Sequence, residues 1–160
     1  MTGAKPQETP DALLNIKTIV VAVDLSRYSE ATALYAASIA RRFGAELRLV
    51  HVFSPSTAAE FGRAADRPSL KDNQKEVEKH LSALTAKVRA FYPRTAYILR
   101  VGDPSEQIIQ AAAVAGADLI VTARHEETII GRLLGLSKAP TLIHHANRPV
   151  LVWQAHDHPL

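Results

Sequence analysis

The chain has 160 residues, of which 47% are hydrophobic, 22% charged and 6% aromatic, a balance that suits one globular domain and excludes a disordered polymer. It contains no cysteine, so disulfides, thiolate metal sites, thiol nucleophiles and iron–sulfur clusters are excluded. The net charge of +3 is small, and its basic residues are scattered, with Arg41–Arg42 the densest pair; nucleic-acid binding needs a clustered stripe instead.

Residues 1–15 are polar and proline-bearing, and read as a flexible arm. Met1–Asp11 lacks the apolar core of an export signal, and no later stretch approaches the ~20 apolar residues of a membrane span. The expected location is therefore the cytoplasm, with no membrane partner. Ile16–Val23 (IKTIVVAV) is a β-branched apolar run, too short for a helix and suited to a strand buried on both faces. Ser29–Phe43 reads as a helix with Ser29 as its cap. Ala31, Leu34, Ala37, Ser38 and Ala40 are its expected inner face. Gly44 takes the left-handed position that ends it.

Glu46–Phe53 (ELRLVHVF) reads as a second strand, with Leu47, Leu49 and His51 on one side and Arg48, Val50 and Val52 on the other. Ser54–Leu70 is a long polar loop. In Lys71–Tyr92, the apolar residues Val77, Leu81, Leu84, Val88 and Phe91 recur at amphipathic helical spacing, and Pro93 stops the run. Thr95–Val101 alternates as a third strand. Gly102-Asp103-Pro104-Ser105-Glu106 is a helix start, with Asp103 as cap and proline in the first turn. Ile108, Ile109, Ala112 and Ala113 are expected to face inward, and Gly116 closes the helix. Asp118–Thr122 is the fourth strand and Ala123–Ala139 a loop. Pro140–Ala146 reads as a short helix and Val150–Trp153 as the fifth strand. Residues 155–160 are a polar tail.

Strands of continuous apolar character alternating with helices predict an α/β fold: one open, twisted parallel sheet covered on both faces, Rossmann-like in type. In such sheets ligands bind beyond the carboxyl ends of the strands. The segments to inspect are Asp24–Ser26, Phe53–Ser54, Val101–Asp103 and 123–137.

Five of these segments together resemble the universal stress protein family. They are IVVAVDLS (Ile19–Ser26), LRLVHV (Leu47–Val52), GDPSEQI (Gly102–Ile108), GADLIV (Gly116–Val121) and HHANRPVLVW (His144–Trp153). The resemblance covers about residues 16–154 and implies a five-stranded parallel sheet of order 3-2-1-4-5, similar to the adenine nucleotide alpha hydrolase scaffold. It also implies a homodimer made by pairing the last strands, here Val150, Leu151, Val152 and Trp153.

Many members bind ATP through a glycine signature after strand 4, G-x2-G-x9-G-[ST]. Glycines let the backbone approach a polyphosphate and offer it amides. Here those positions hold Ala123, Glu126, Leu136 and Ser137, so only the last survives. Gly131 and Gly135 are off register, and Glu126–Glu127 set carboxylates where an anion would sit. The loop instead resembles the A-type branch, which lacks the signature: Arg124-His125-Glu126 matches its basic, histidine and acidic order. By the same resemblance, Asp24 occupies the aspartate position near the adenosine moiety, and Val52 the position whose backbone reads the adenine edge. Asp24 can equally cap its own loop, and Val52 can be plain core.

Other chemistry has weaker support. His144 and His145 are adjacent on a helix and point about 100° apart, which does not favour one shared metal ion. His51 on its strand reads as a packed histidine. His125 beside Glu126 is the best acid–base candidate, and Arg124, His125 and Arg132 are possible anion contacts. There is no GxSxG, P-loop or GxGxxG, and Asp24–Ser29 has no glycine for an enzyme's phosphate loop. The expected function is a dimeric, cytoplasmic stress-response protein that works through protein partners, without catalysis, metal or ATP held by the usual signature. The alternative is an adenine-nucleotide binder using Asp24, Val52 and a rearranged strand-4 loop.

Overall fold

The computed structural model describes residues 14–54, 70–124 and 145–154. Five strands are present: β1 (Thr18–Ala22), β2 (Glu46–Phe53), β3 (Thr95–Val101), β4 (Leu119–Arg124) and β5 (Val150–Gln154). They form one parallel sheet of order β3-β2-β1-β4-β5, as the sequence implies. Three helices accompany them among the described residues: α1 (Ser29–Phe43), α2 (Leu70–Phe91) and α3 (Pro104–Val114). The expected loop at Ser54–Leu70 and the helix at Pro140–Ala146 fall largely outside the described residues, as do the N-terminal arm up to residue 13 and the polar tail.

The period-2 alternation of the strands divides the core. Ile19, Val21, Leu47, Leu49 and Val121 face α1 and α2, and pack on Ala33, Ala36, Ala37, Leu81 and Val88. Val20, Ala22, Val50 and Ile120 face α3 and pack on Ile108, Ala111 and Ala112. Both faces of the central strands are therefore dry, which is why they read as unbroken apolar runs.

Three expectations about packing need correction. The inner face of α1 is Thr32, Ala33, Ala36, Ala37 and Ala40, while Ala31 and Leu34 are only half-buried and Ser38 is exposed. The small residues on both sides of the stripe hid its orientation. Likewise Ala111 rather than Ala113 is buried in α3. In α2, Phe91 is 41% exposed. A 3.5-residue stripe drifts by ~20° per heptad on a straight helix, so the last member rotates outward. Arg41 covers its ring at 4.9 Å, and Tyr92 goes inside instead, donating to Ala45 O at 2.7 Å.

The helix ends follow local chemistry. Asp103 Oδ1 accepts from Glu106 N–H at 3.1 Å, capping α3 as its sequence predicts. Gly44 adopts φ 65° after α1, a conformation a Cβ would disfavour. Ser29, however, is the first helical residue and not the cap. Tyr28 occupies the cap position and makes no side-chain cap bond.

Candidate functional site

The loop leaving β1 is built around Asp24. Its Oδ1 accepts from Ser26 N–H at 3.0 Å and from Ser29 Oγ–H at 2.9 Å. The carboxylate thus ties the turn to the start of α1. Between these residues Leu25 takes φ 61°, a left-handed conformation unusual for a branched side chain. Its side chain packs against the core on the α1–α2 face, which holds it there.

Asp24 and Ala123 lie beside the same cavity. Both line a cavity of about 10 Å³ with Ala22, Val23, Ser26, Tyr28, Ser29 and Thr32. That volume admits about one water molecule. Ala123 is a strand residue, not the first loop residue: β4 runs on to Arg124, and Ala123 pairs with Trp153 of β5. His125 and Ser137 lie outside the described residues.

Val52 sits opposite Arg100 in the β2–β3 register and packs against the α3-side core. Arg100 was not singled out in the sequence. Its Nε is buried and has no hydrogen-bond partner among the described residues, and a lone charge near the end of the apolar run TAYILRV was the available signal. Next to Val52, His51 Nδ1–H donates to Val23 O at 2.8 Å. Burial lowers the imidazole pKa from its ordinary value, with the hydrogen bond to Val23 and the charge of Asp24 opposing that shift. The packed-histidine reading is therefore met, but the residue also bridges two strand ends.

Across the β1–α1 turn lies a more open groove of about 320 Å³, lined by Leu25, Arg27, Glu30, His80 and Lys87 among others. Lys87 Nζ donates to Glu30 Oε2 at 2.8 Å beside it.

On the other flank, β5 is an edge strand whose Val152 is 47% exposed. Trp153 is half-buried and stacks on Tyr35 of α1. No helix among the described residues is long and apolar enough to cross a membrane.

A sequence model of the universal stress protein family matches residues 15–154, a span that holds all five strands and the three described helices. The chain belongs to that family. It is 32% identical over 139 residues to a universal stress protein of Thermus aquaticus, covering 85% of this chain and 97% of the relative. Universal stress protein G of Escherichia coli O157:H7 is 31% identical over 140 residues, covering 85% and 97%. An A-type member from Escherichia coli K12 is 29% identical over 113 residues, covering 69% and 77%. Among solved structures, a universal stress protein from Archaeoglobus fulgidus in complex with dAMP superposes with a TM-score of 0.61 at 24% identity, covering 87% of this chain and 98% of that one. That likeness is one of fold.

Proposed function

We propose that this universal stress protein acts by association, as a cytoplasmic homodimer joined through Val150–Trp153, and that it neither grips ATP by its strand-4 loop nor catalyses a reaction. The observation that carries this reading is the state of Asp24. Its Oδ1 already serves Ser26 and Ser29, and the cavity beside it has room for about one water. A triphosphate would also need the loop backbone to approach it closely, and the sequence has Ala123, Glu126 and Leu136 where the signature has glycine. Isothermal titration of the full chain with magnesium and ATP tests the reading. No saturable heat is expected, and micromolar saturation would refute it.

A second reading is favoured by a different observation, the strand end at Val52. A nucleoside monophosphate makes no demand for a triphosphate cradle, and the Archaeoglobus fulgidus protein holds dAMP. In this reading Val52 meets the base, Asp24 lies towards the sugar, and Arg124 and His125 supply anion contacts. Saturable AMP binding that is lost on Asp24→Ala, with the fold intact, would support it over the first.

A further inference from the structure

The described sheet has two edges, β5 on one side and β3 on the other. In a parallel ladder, alternate residues of a strand turn their main-chain groups to opposite sides. Leu47 N–H reaches Arg94 O at 2.9 Å, and Gly102 N–H reaches Phe53 O at 3.1 Å. By this alternation Ala96, Ile98 and Arg100 serve β2. Thr95, Tyr97, Leu99 and Val101 turn their N–H and C=O groups away from the sheet.

The first outward carbonyl is covered. Arg89, in the last turn of α2, donates from Nε and Nη2 to Thr95 O at 3.0 and 2.9 Å. Beyond it, the outward groups of Tyr97, Leu99 and Val101 meet no strand among the described residues. Proline, bulges and charged side chains are the devices that protect such an edge. TAYILRV has no proline, pairs with β2 in continuous register from Thr95 to Val101, and carries one charge, Arg100.

That charge decides what the edge accepts. Arg100 shares the α3 face of the sheet with Ile98. Its Nε is buried without a hydrogen-bond partner, and no carboxylate pairs with it among the described residues. A strand added beside β3 buries the guanidinium further, which is unfavourable unless a carboxylate arrives with it. In antiparallel docking Arg100 falls in a non-hydrogen-bonded pair, where facing side chains are closest. A second copy of β3 brings no acid, because TAYILRV has none. On the opposite face Tyr97 Oη–H already meets Glu78 Oε1 at 3.3 Å, so a carboxylate suits only the Arg100 side.

We propose that the outer edge of β3, from Tyr97 to Val101, docks an extended segment of another protein as an added strand, with an acidic side chain of that segment beside Arg100. Arg89 fixes where the docked strand begins, since it occupies the rung before Tyr97. The proposal deepens the association reading above and names its partner's chemistry. It uses the edge opposite Val150–Trp153, so either contact can fail without the other.

NMR of the ¹⁵N-labelled full chain tests this. Without peptide, the Tyr97 and Leu99 amides should exchange at least roughly tenfold faster than those of Ile98 and Arg100, which bond to β2. The probe is the end-blocked peptide Thr-Val-Glu-Val-Thr-Val, whose alternation sets Glu and Thr on one face; its control carries Lys in place of Glu. The Glu peptide should shift the Leu99 and Val101 amides saturably and slow their exchange. The Lys peptide should bind about tenfold more weakly, and Arg100→Gln should remove that difference. Val101→Pro deletes an outward N–H where an edge strand tolerates proline, and should weaken the Glu peptide by about tenfold. Should that variant fail to fold, the Arg100→Gln comparison decides. Tyr97 and Leu99 amides as protected as Ile98 in dilute protein overturn the proposal, as does the lack of a saturable shift or equal affinity of the wild type for both peptides. Protection that rises with protein concentration alone gives the edge to a second copy and overturns it too. The mass in light scattering without peptide reports separately on the dimer through β5.

Discussion

Tyr35 on α1 lies flat against Trp153 on β5, with ring centroids 5.1 Å apart and planes 10° from parallel. The pair joins the helix that covers β1 to an edge strand that, among the described strands, pairs only with β4. Such stacks contribute about 0.5–1.5 kcal/mol beyond area burial. Tyr35→Ala should therefore lower unfolding stability by about 1 kcal/mol. Trp153 is the single tryptophan of the chain, so the same variant should red-shift its emission. An unchanged spectrum would show that the two rings do not meet in solution.

The same strand carries the proposed dimer contact. Val152 is exposed on an unpaired edge, and a lysine there discourages edge-to-edge pairing. Val152→Lys should convert a dimer into a monomer in light scattering, with the melting temperature of the monomeric fold little changed at high dilution. A variant that remains a dimer would place the association elsewhere.

Asp24 is expected to be a structural residue first. Asp24→Ala removes the acceptor for Ser26 N–H and Ser29 Oγ–H, and should cost about 1–2 kcal/mol of stability. Chemical denaturation measures this. A stability equal to wild type would mean that the carboxylate is not committed to its loop and is available for other work.

The pH response of His51 has a definite sign. Burial depresses its folded-state pKa below the ordinary value, so the unfolded chain binds the proton more readily. Its contribution to stability is fully present above the ordinary histidine range, about pH 6.5. It is lost as pH falls through the depressed folded value. Denaturant midpoints between pH 7.5 and 5 should therefore fall more steeply for the wild type than for His51→Asn. Parallel slopes would mean that the imidazole titrates as it does in the unfolded chain.

Much of this fold was legible because each local signal agreed with the next. The buried runs at β1 and β4, the capping of α3 by Asp103 and the left-handed Gly44 all follow from residue type. The inner face of α1 was not legible, since alanine marks a helix without marking its side. Nor was the length of β4: Ala123 and Arg124 extend it because β5 pairs alongside, a tertiary effect. Of the candidate site, the meeting of Asp24 with Ala123 followed from strand order. The bond from His51 to Val23 did not. Nothing local to VHVF says that the ring will reach across to the end of a neighbouring strand.

The account turns on whether ATP has a grip at the end of β4. Native mass spectrometry of the full chain, mixed with a large excess of magnesium and ATP, asks this directly. The expected spectrum shows a dimer whose mass is unchanged by nucleotide. A dimer carrying one ATP per subunit, at a nucleotide concentration that leaves an unrelated control protein bare, would contradict it.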